Sequence, residues 1–304
     1  MLYRKNLYRC LGLFLVYSIN SYAANISSSI ENAIAVGAFP VGIGSTVNLN
    51  SSDSKIAGPA IFLGSTVRPD SSISYQMYLN KATHKVFYIE ASNFNRRNPK
   101  LQTILDPYQQ AGGTCTGYAI DDFLQQTNLS GFTGNGSLGN VLSTEEGRSN
   151  LLVDSINEYY LTTTHRYSIN GIMNSYGKKF GFSCNSFKTD SYDKAKTKIL
   201  AHLNLGLPII VSFNIGPKMV KSPFGLELYD QANPEIDDRL WIPRKIGERN
   251  SGGHSIVAAA SFEINNKTYL VMIDSDWSEP RIWDMDSFLN QKTDIDDVEF
   301  ISCK

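Results

Sequence analysis

"QQAGGTCTGYAIDDFL", residues 109–124, is the stretch on which the reading of this chain turns. A Gly-Gly-Thr turn runs straight into Cys115. From there Ile120, Phe123, Leu124 and Thr127 recur on one side at helical spacing, with Asp121, Asp122, Gln125 and Gln126 on the other. The spacing predicts an amphipathic helix that begins at a cysteine and turns its acidic residues to solvent. Unpaired backbone N–H groups and the helix dipole favour a thiolate at such a position, and the thiolate is the nucleophilic form. Free cysteine is also among the most buried residue types, so position leaves two readings of Cys115 open, a reactive thiol or a small core residue.

The compartment bears on that choice. "MLYRKNLYR" (1–9) carries Arg4, Lys5 and Arg9, "LGLFLVYSI" (11–19) is uncharged and apolar, and "SYAA" (21–24) offers small residues at Ser21 and Ala23. This is the layout of a secretory signal peptide, with an apolar core too short to span a bilayer. Cleavage is expected after Ala23, which makes residues 1–23 the signal and the mature chain secreted or periplasmic. No later stretch reaches transmembrane length, so no membrane span is expected after cleavage. The net charge of −1 includes the three leader cations and no leader acids, leaving 25 basic and 29 acidic residues. That balance argues against nucleic acid or an anionic membrane surface as a partner.

With Cys10 gone, Cys115, Cys184 and Cys303 remain, an odd number in an oxidising compartment. The expected arrangement is a disulfide between Cys184 ("GFSCNSF") and Cys303 ("FISCK"), with Cys115 free; three unpaired thiols are the alternative.

Two textures divide the chain. Residues 24–95 hold short apolar or alternating runs separated by Gly, Pro, Ser, Asn and Asp, and read as a β-rich N-terminal segment. "NFNRRNPKLQ" (93–102) is a polar joint, and residues 96–304 follow as a second unit. Beyond the cysteine, helices are expected at 145–163 and at 191–206, the latter capped by Gly206. "LPIIVSFNI" (207–215) reads as a buried strand and 216–250 as a covering loop. Strands follow at "GGHSIVAAASFEI" (252–264), "NNKTYLVMIDSDW" (265–277) and "PRIWDM" (280–285). Helices and then antiparallel strands indicate an α+β fold.

A cysteine nucleophile needs a base, and the base needs a group that fixes its tautomer and ring angle. Four histidines are available. His84 is expected at the surface, His165 at a helix junction and His202 on a helix, all in structural or solvent-facing roles. His254 differs because it opens a strand after Gly252-Gly253, where backbone approaches closely and the side chain can face a cleft. Asp274 ends the next apolar strand, a costly place for a charge, and a hairpin between the two strands would bring it beside the imidazole. On its own, the pair Asp274 and Asp276 reads equally as a strand cap or a cation ligand.

Taken together, "QQAGGTCTGYA" and "GGHSIVAAASFEINNKTYLVMIDSDW" resemble the two signature blocks of papain-like cysteine peptidases, in the right order and at a suitable separation. The resemblance implies a helical subdomain and an antiparallel sheet or barrel subdomain with a catalytic cleft between them. It implies a catalytic triad with Cys115 as nucleophile, His254 as base and Asp274 as the orienting group, Gln109 as oxyanion-hole donor and Trp277 as the aromatic that shields the triad. Tyr118 takes the family's aromatic position after the nucleophile. Counted from Tyr269, Asp274 holds the place of the family's Asn, with Asp276 inserted before Trp277. Counted back from Trp277, Ser275 would hold it. Asp274 is preferred because a carboxylate is the better partner for imidazolium. Gln110 competes with Gln109, and Thr116 replaces the family's tryptophan. The β-rich segment does not resemble the helical pro-region of such enzymes and is expected to pack on the catalytic unit, as a pro-region or cleft cover.

The reading is an exported thiol hydrolase acting on a peptide or protein substrate, monomeric, with no metal and no cofactor. Competing readings are an acyltransferase or deamidase that uses the same thioester, and an inactive papain-like binding domain. No HExxH or EF-hand pattern is present, and "DIDD" (294–297) reads as a solvated acidic turn. Asn128, Asn135 and Asn266 begin Asn-x-Ser/Thr triplets that matter only in a glycosylating host.

Overall fold

The structure is a computed structural model; it describes residues 43–49, 57–67, 74–90, 115–129, 138, 141, 145–163, 169–224, 239–276 and 280–304. Among the described residues, four helices of two turns or more lie from the cysteine onward: α1 (Cys115–Leu129), α2 (Glu145–Thr163), α3 (Ile169–Phe180) and α4 (Tyr192–Leu203). Ser191 caps α4 by accepting the Lys194 N–H, so the polar residue ahead of "YDKAKTKILAHL" sets where the helix starts. Asn204 is its C-cap, and Gly206 makes the reversal two residues later at φ +73°.

A six-stranded sheet forms the centre. Its strands are β5 (Cys184–Phe187), β6 (Ile209–Asn214), β9 (Gly253–Ile264), β10 (Lys267–Ile273), β11 (Arg281–Asp284) and β12 (Val298–Cys303), in the order β11-β10-β9-β6-β12-β5. Every neighbouring pair is antiparallel. The mixture of helices with an antiparallel sheet makes the fold α+β. Between β6 and β9 the strands β7 (Val220–Lys221) and β8 (Arg239–Leu240) pair as a short ribbon, so the covering loop contains structure of its own.

Each sheet face has its own core. On one, Ile210, Val257, Ile273 and Ile301 pack with Ile120, Phe123 and Leu124 of α1 and Met173 and Phe180 of α3. On the other, Val211, Ile256, Ala258, Leu270 and Met272 pack with Ala195, Ile199 and Leu203 of α4 and with the short α5 (Met285–Phe288). The β9–β10 hairpin closes through Asn265 and Asn266 at φ +51° and +61°, the left-handed pair that a two-residue type I′ turn requires. A register shift between Val271 and Met272 leaves Ala259 as the extra residue, and the side-chain alternation of β9 changes face there.

That change of face creates the seat for the N-terminal segment. Strands β1 (Thr46–Leu49), β2 (Gly58–Val67), β3 (Ser74–Asn80) and β4 (Val86–Glu90) form an antiparallel meander. Ile61, Leu63, Met77, Leu79 and Val86 from it share one core with Phe224, Ala260, Phe262, Ile264, Tyr269, Val271 and Ile282. Gly44, at φ +82°, approaches so closely that a Cβ there would stand 2.7 Å from the Ala260 Cβ.

Several expectations need correction. Asp121 and Asp122 do not face solvent, being 1% and 3% exposed, because α1 is covered by both α2 and the sheet. Helix α3 and strands β5 and β12 were not among the expected elements, although Ile172, Met173, Tyr176 and Phe180 of α3 recur at helical spacing. The acidic turn at 294–297 is not merely solvated: Arg244 donates through Nη2 to Asp294 at 2.6 Å and through Nε to Asp297 at 2.9 Å. Cys184 and Cys303 stand opposite each other on β5 and β12 and form a disulfide, and Cys115 is the free cysteine among the described residues. Among those residues no helix is long and apolar enough to cross a membrane. The expected signal, residues 1–23, lies outside them.

Candidate active site

Cys115 is the first residue of α1, half-buried, with its sulfur at the positive end of a 15-residue helix. Strand β9 brings up the imidazole. His254 pairs with Phe213 of β6, whose ring meets the imidazole edge-on at 5.9 Å between centroids. Strand β10 continues antiparallel to β9, so the residue after Ile273 arrives beside the start of β9. There Asp274 Oδ1 accepts the His254 Nε2–H at 2.9 Å and also the Asp276 backbone N–H at 3.0 Å. The second bond closes a turn that holds the carboxylate against the ring. Asp276 stands further off, with 3.9 Å from Oδ2 to His254 Nε2. Nε2 is engaged by Asp274, which leaves Nδ1 as the ring nitrogen available to Cys115.

The electrostatics follow from this arrangement. Burial pushes the Cys115 thiol up, but hydrogen bonding and charge from His254, the Ser255 backbone N–H and the Thr116 hydroxyl pull it down further, so it lies below the ordinary thiol value. Burial likewise pushes His254 down, and the Asp274 carboxylate, helped by Cys115, more than reverses this and holds the imidazole well above its usual range. A lowered thiol beside a raised imidazole favours the thiolate–imidazolium pair.

Around the pair, Thr116 Oγ1 lies 3.2 Å from Ser255 Oγ, which donates to Ser212 Oγ at 3.0 Å. Asp122, seven residues beyond Cys115 on α1, is fully buried; burial, then the neighbouring Asp121 and Asp274 charges, raise its carboxyl well above the usual carboxylate range. Sequence reasoning missed this group by assigning it to the wet face of the helix. The signal available was "IDDFL" itself, two adjacent acids between core residues in a helix with apolar neighbours on both sides.

His254, Asp274 and Asp276 offer ligand atoms within 4.8 Å of one another. His254 Nε2 and Asp274 Oδ1 lie 2.9 Å apart in a hydrogen bond, so a cation there would compete for the same two atoms. Of the other histidines, His84 is exposed, and His202 bonds the Lys198 carbonyl at 2.9 Å through Nδ1 and stacks on Phe187. Gln109, Gln110, Trp277 and His165 lie outside the described residues. Asn266 is exposed at the tip of the β9–β10 hairpin. No protein-family model matches the chain, and no curated protein matches it either.

Proposed function

We propose that the chain is an exported, papain-like cysteine peptidase. The observation that supports this best is the continuous array from Cys115 through His254 to Asp274, built from a helix start and two adjacent strand ends. The Cys115 thiolate attacks the carbonyl carbon of a peptide, and the tetrahedral oxyanion is stabilised by the Cys115 backbone N–H together with Gln109. Each such donor contributes about 3 to 4 kcal/mol to barrier lowering. As the C–N bond breaks, the His254 imidazolium gives its Nδ1 proton to the leaving amine, and an acyl-thioester remains on Cys115. Neutral His254 then takes a proton from water, the hydroxide equivalent attacks the thioester, and the thiolate leaves as the acid product forms. Asp274 keeps Nε2–H oriented and stabilises the imidazolium through both steps.

Labelling with a thiol-reactive epoxide, followed by peptide-library cleavage with Cys115→Ala as control, tests the reading. The expected result is stoichiometric labelling at Cys115 and cleavage that disappears in the variant. Labelling without cleavage, but with acyl transfer to an added amine or release of ammonia from glutamine, would redirect the reading to an acyltransferase or deamidase. A folded protein with an unreactive Cys115 would make it a binding domain.

A further inference from the structure

Three buried or half-buried hydroxyls lie in line behind the nucleophile, and the peptidase chemistry does not use them. Thr116 is 4% exposed and immediately follows Cys115 in the first turn of α1. Ser255 is 2% exposed and follows His254 in β9, and Ser212 is its partner in the β6–β9 ladder. The 3.2 Å and 3.0 Å separations make a continuous chain, Thr116 Oγ1 to Ser255 Oγ to Ser212 Oγ, that ties the helix carrying the sulfur to the two central strands. The Thr116 hydroxyl rises from the same helix turn as the sulfur, one residue on, and is among the groups that pull the thiol down. Each hydroxyl has one proton and two acceptor lone pairs, so the chain can point either way.

Resting on the active-site reading above, we propose that Thr116, Ser255 and Ser212 form a reversible hydroxyl relay that positions and stabilises the Cys115 thiolate. With a thiolate present, the Thr116 O–H turns to the sulfur, Ser255 O–H turns to Thr116 and Ser212 O–H turns to Ser255. Three aligned dipoles then face the negative charge. When the sulfur is protonated or acylated, Thr116 O–H turns back to Ser255, which donates onward to Ser212; the second of these bonds has that direction in the structure, and the first can run either way. No proton leaves its oxygen in either state. Thr116 is thus a positioning residue acting through its hydroxyl, and the methyl of the same side chain fills the space. The charged groups around the sulfur are His254 from β9, Asp274 and Asp276 beyond β10, and Asp121 and Asp122 on α1. Asp154 of α2 faces solvent, and β6 carries no charged residue. Substitutions in the relay leave all of these unchanged.

The test is the pH dependence of Cys115 alkylation by iodoacetamide in the full mature chain, which reads thiolate directly and needs no substrate. Thr116→Val keeps the shape and removes the hydroxyl; its midpoint should move up by about one pH unit. Thr116→Ser should restore the wild-type midpoint, and Ser255→Ala, which keeps the backbone N–H to the sulfur, should shift it in the same direction by less. Circular dichroism and melting temperature establish folding, and Thr116→Ala replaces the valine variant should that one not fold. A folded Thr116→Val or Thr116→Ala protein with the wild-type midpoint overturns the relay, as does a serine variant that behaves like valine. His254→Ala separates the two readings: a wild-type midpoint at the ordinary thiol value and indifferent to His254 defeats the active-site reading, whereas a low midpoint that depends on His254 but not on Thr116 defeats the relay alone.

Discussion

Cys115 and Asp122 share one helix, and the same burial drives both toward their neutral forms. Cys115 escapes because an imidazole, a backbone N–H and a hydroxyl surround its sulfur; Asp122 does not, because its charged neighbours Asp121 and Asp274 have its own sign. Asp122 therefore keeps its proton in the folded state at pH values where the unfolded chain has lost it. The folded state binds the extra proton, so this group's contribution to stability is complete below the ordinary carboxyl value and is lost as pH rises through the raised folded value. Asp122→Asn removes that penalty. Its melting temperature should exceed the wild-type value by a few degrees at neutral pH, with the gap closing as the pH approaches 4. A gap that widened on acidification would contradict the assignment. Asp274 calls for a different pair of variants. Asn at this position still offers an oxygen to His254 Nε2 but not the charge that offsets burial of the imidazole. Asp274→Asn should lose less kcat/KM than Asp274→Ala, while its alkaline limb moves to lower pH because the imidazolium loses the carboxylate that holds its pKa up. Steady-state profiles against pH on one peptide substrate distinguish these outcomes.

Among the elements, the β9–β10 hairpin was the most legible. Its Asn-Asn turn, its apolar alternation and the polar residues at its open end all agree, and strand pairing puts His254 and Asp274 side by side once the turn is right. Helix α1 was half legible: its start and apolar positions are where periodicity puts them, but its acidic residues are buried. Periodicity locates the apolar stripe and says nothing about whether a second layer covers the opposite side. Helix α3 escaped notice because Asn170, Gly171 and Gly177 lower helix propensity, and tertiary packing of Ile172, Met173, Tyr176 and Phe180 overrides it. The contact between α1 and α2 depends on a missing side chain. A Cβ on Gly117 would stand 2.8 Å from the Ile156 Cα, so Gly117→Ala must push the helices apart. A loss of about 1 to 3 kcal/mol in denaturant unfolding is expected. Alkylation at Cys115 should also slow, since the same turn carries the sulfur.

For the molecule as a whole, two connections join distant parts of the chain. The Cys184–Cys303 bridge closes a sequence separation of 119 residues and ties the last strand to the sheet edge. In the chain-entropy treatment a loop of this size corresponds to about 4 to 5 kcal/mol. Replacing both cysteines by serine should lower unfolding stability by an amount of that order while leaving Cys115 labelling intact at moderate temperature. The N-terminal meander makes the second connection. Removing residues 24–95 would uncover Ala260, Phe262, Ile264, Tyr269, Val271 and Ile282 on one face. The truncated protein should bind a hydrophobic dye and melt at lower temperature; unchanged stability and activity would show that the meander is dispensable.

The sequence by itself determined what is local or periodic: a helix beginning at Cys115, the apolar strands, the Asn-Asn turn, and the choice of His254 and Asp274 among the available polar residues. An odd cysteine number in a chain expected to be exported left one thiol over, and the expected 184–303 pairing is the disulfide the structure forms. Only the tertiary structure decided which sides of α1 are dry, that the N-terminal strands share a core with the far end of the β9–β10 hairpin, and that Thr116, Ser255 and Ser212 fall into line behind the sulfur. These depend on which layers stack on which. Stacking is set by the sum of many weak apolar contacts between segments far apart in the chain, and no single stretch of residues carries that sum.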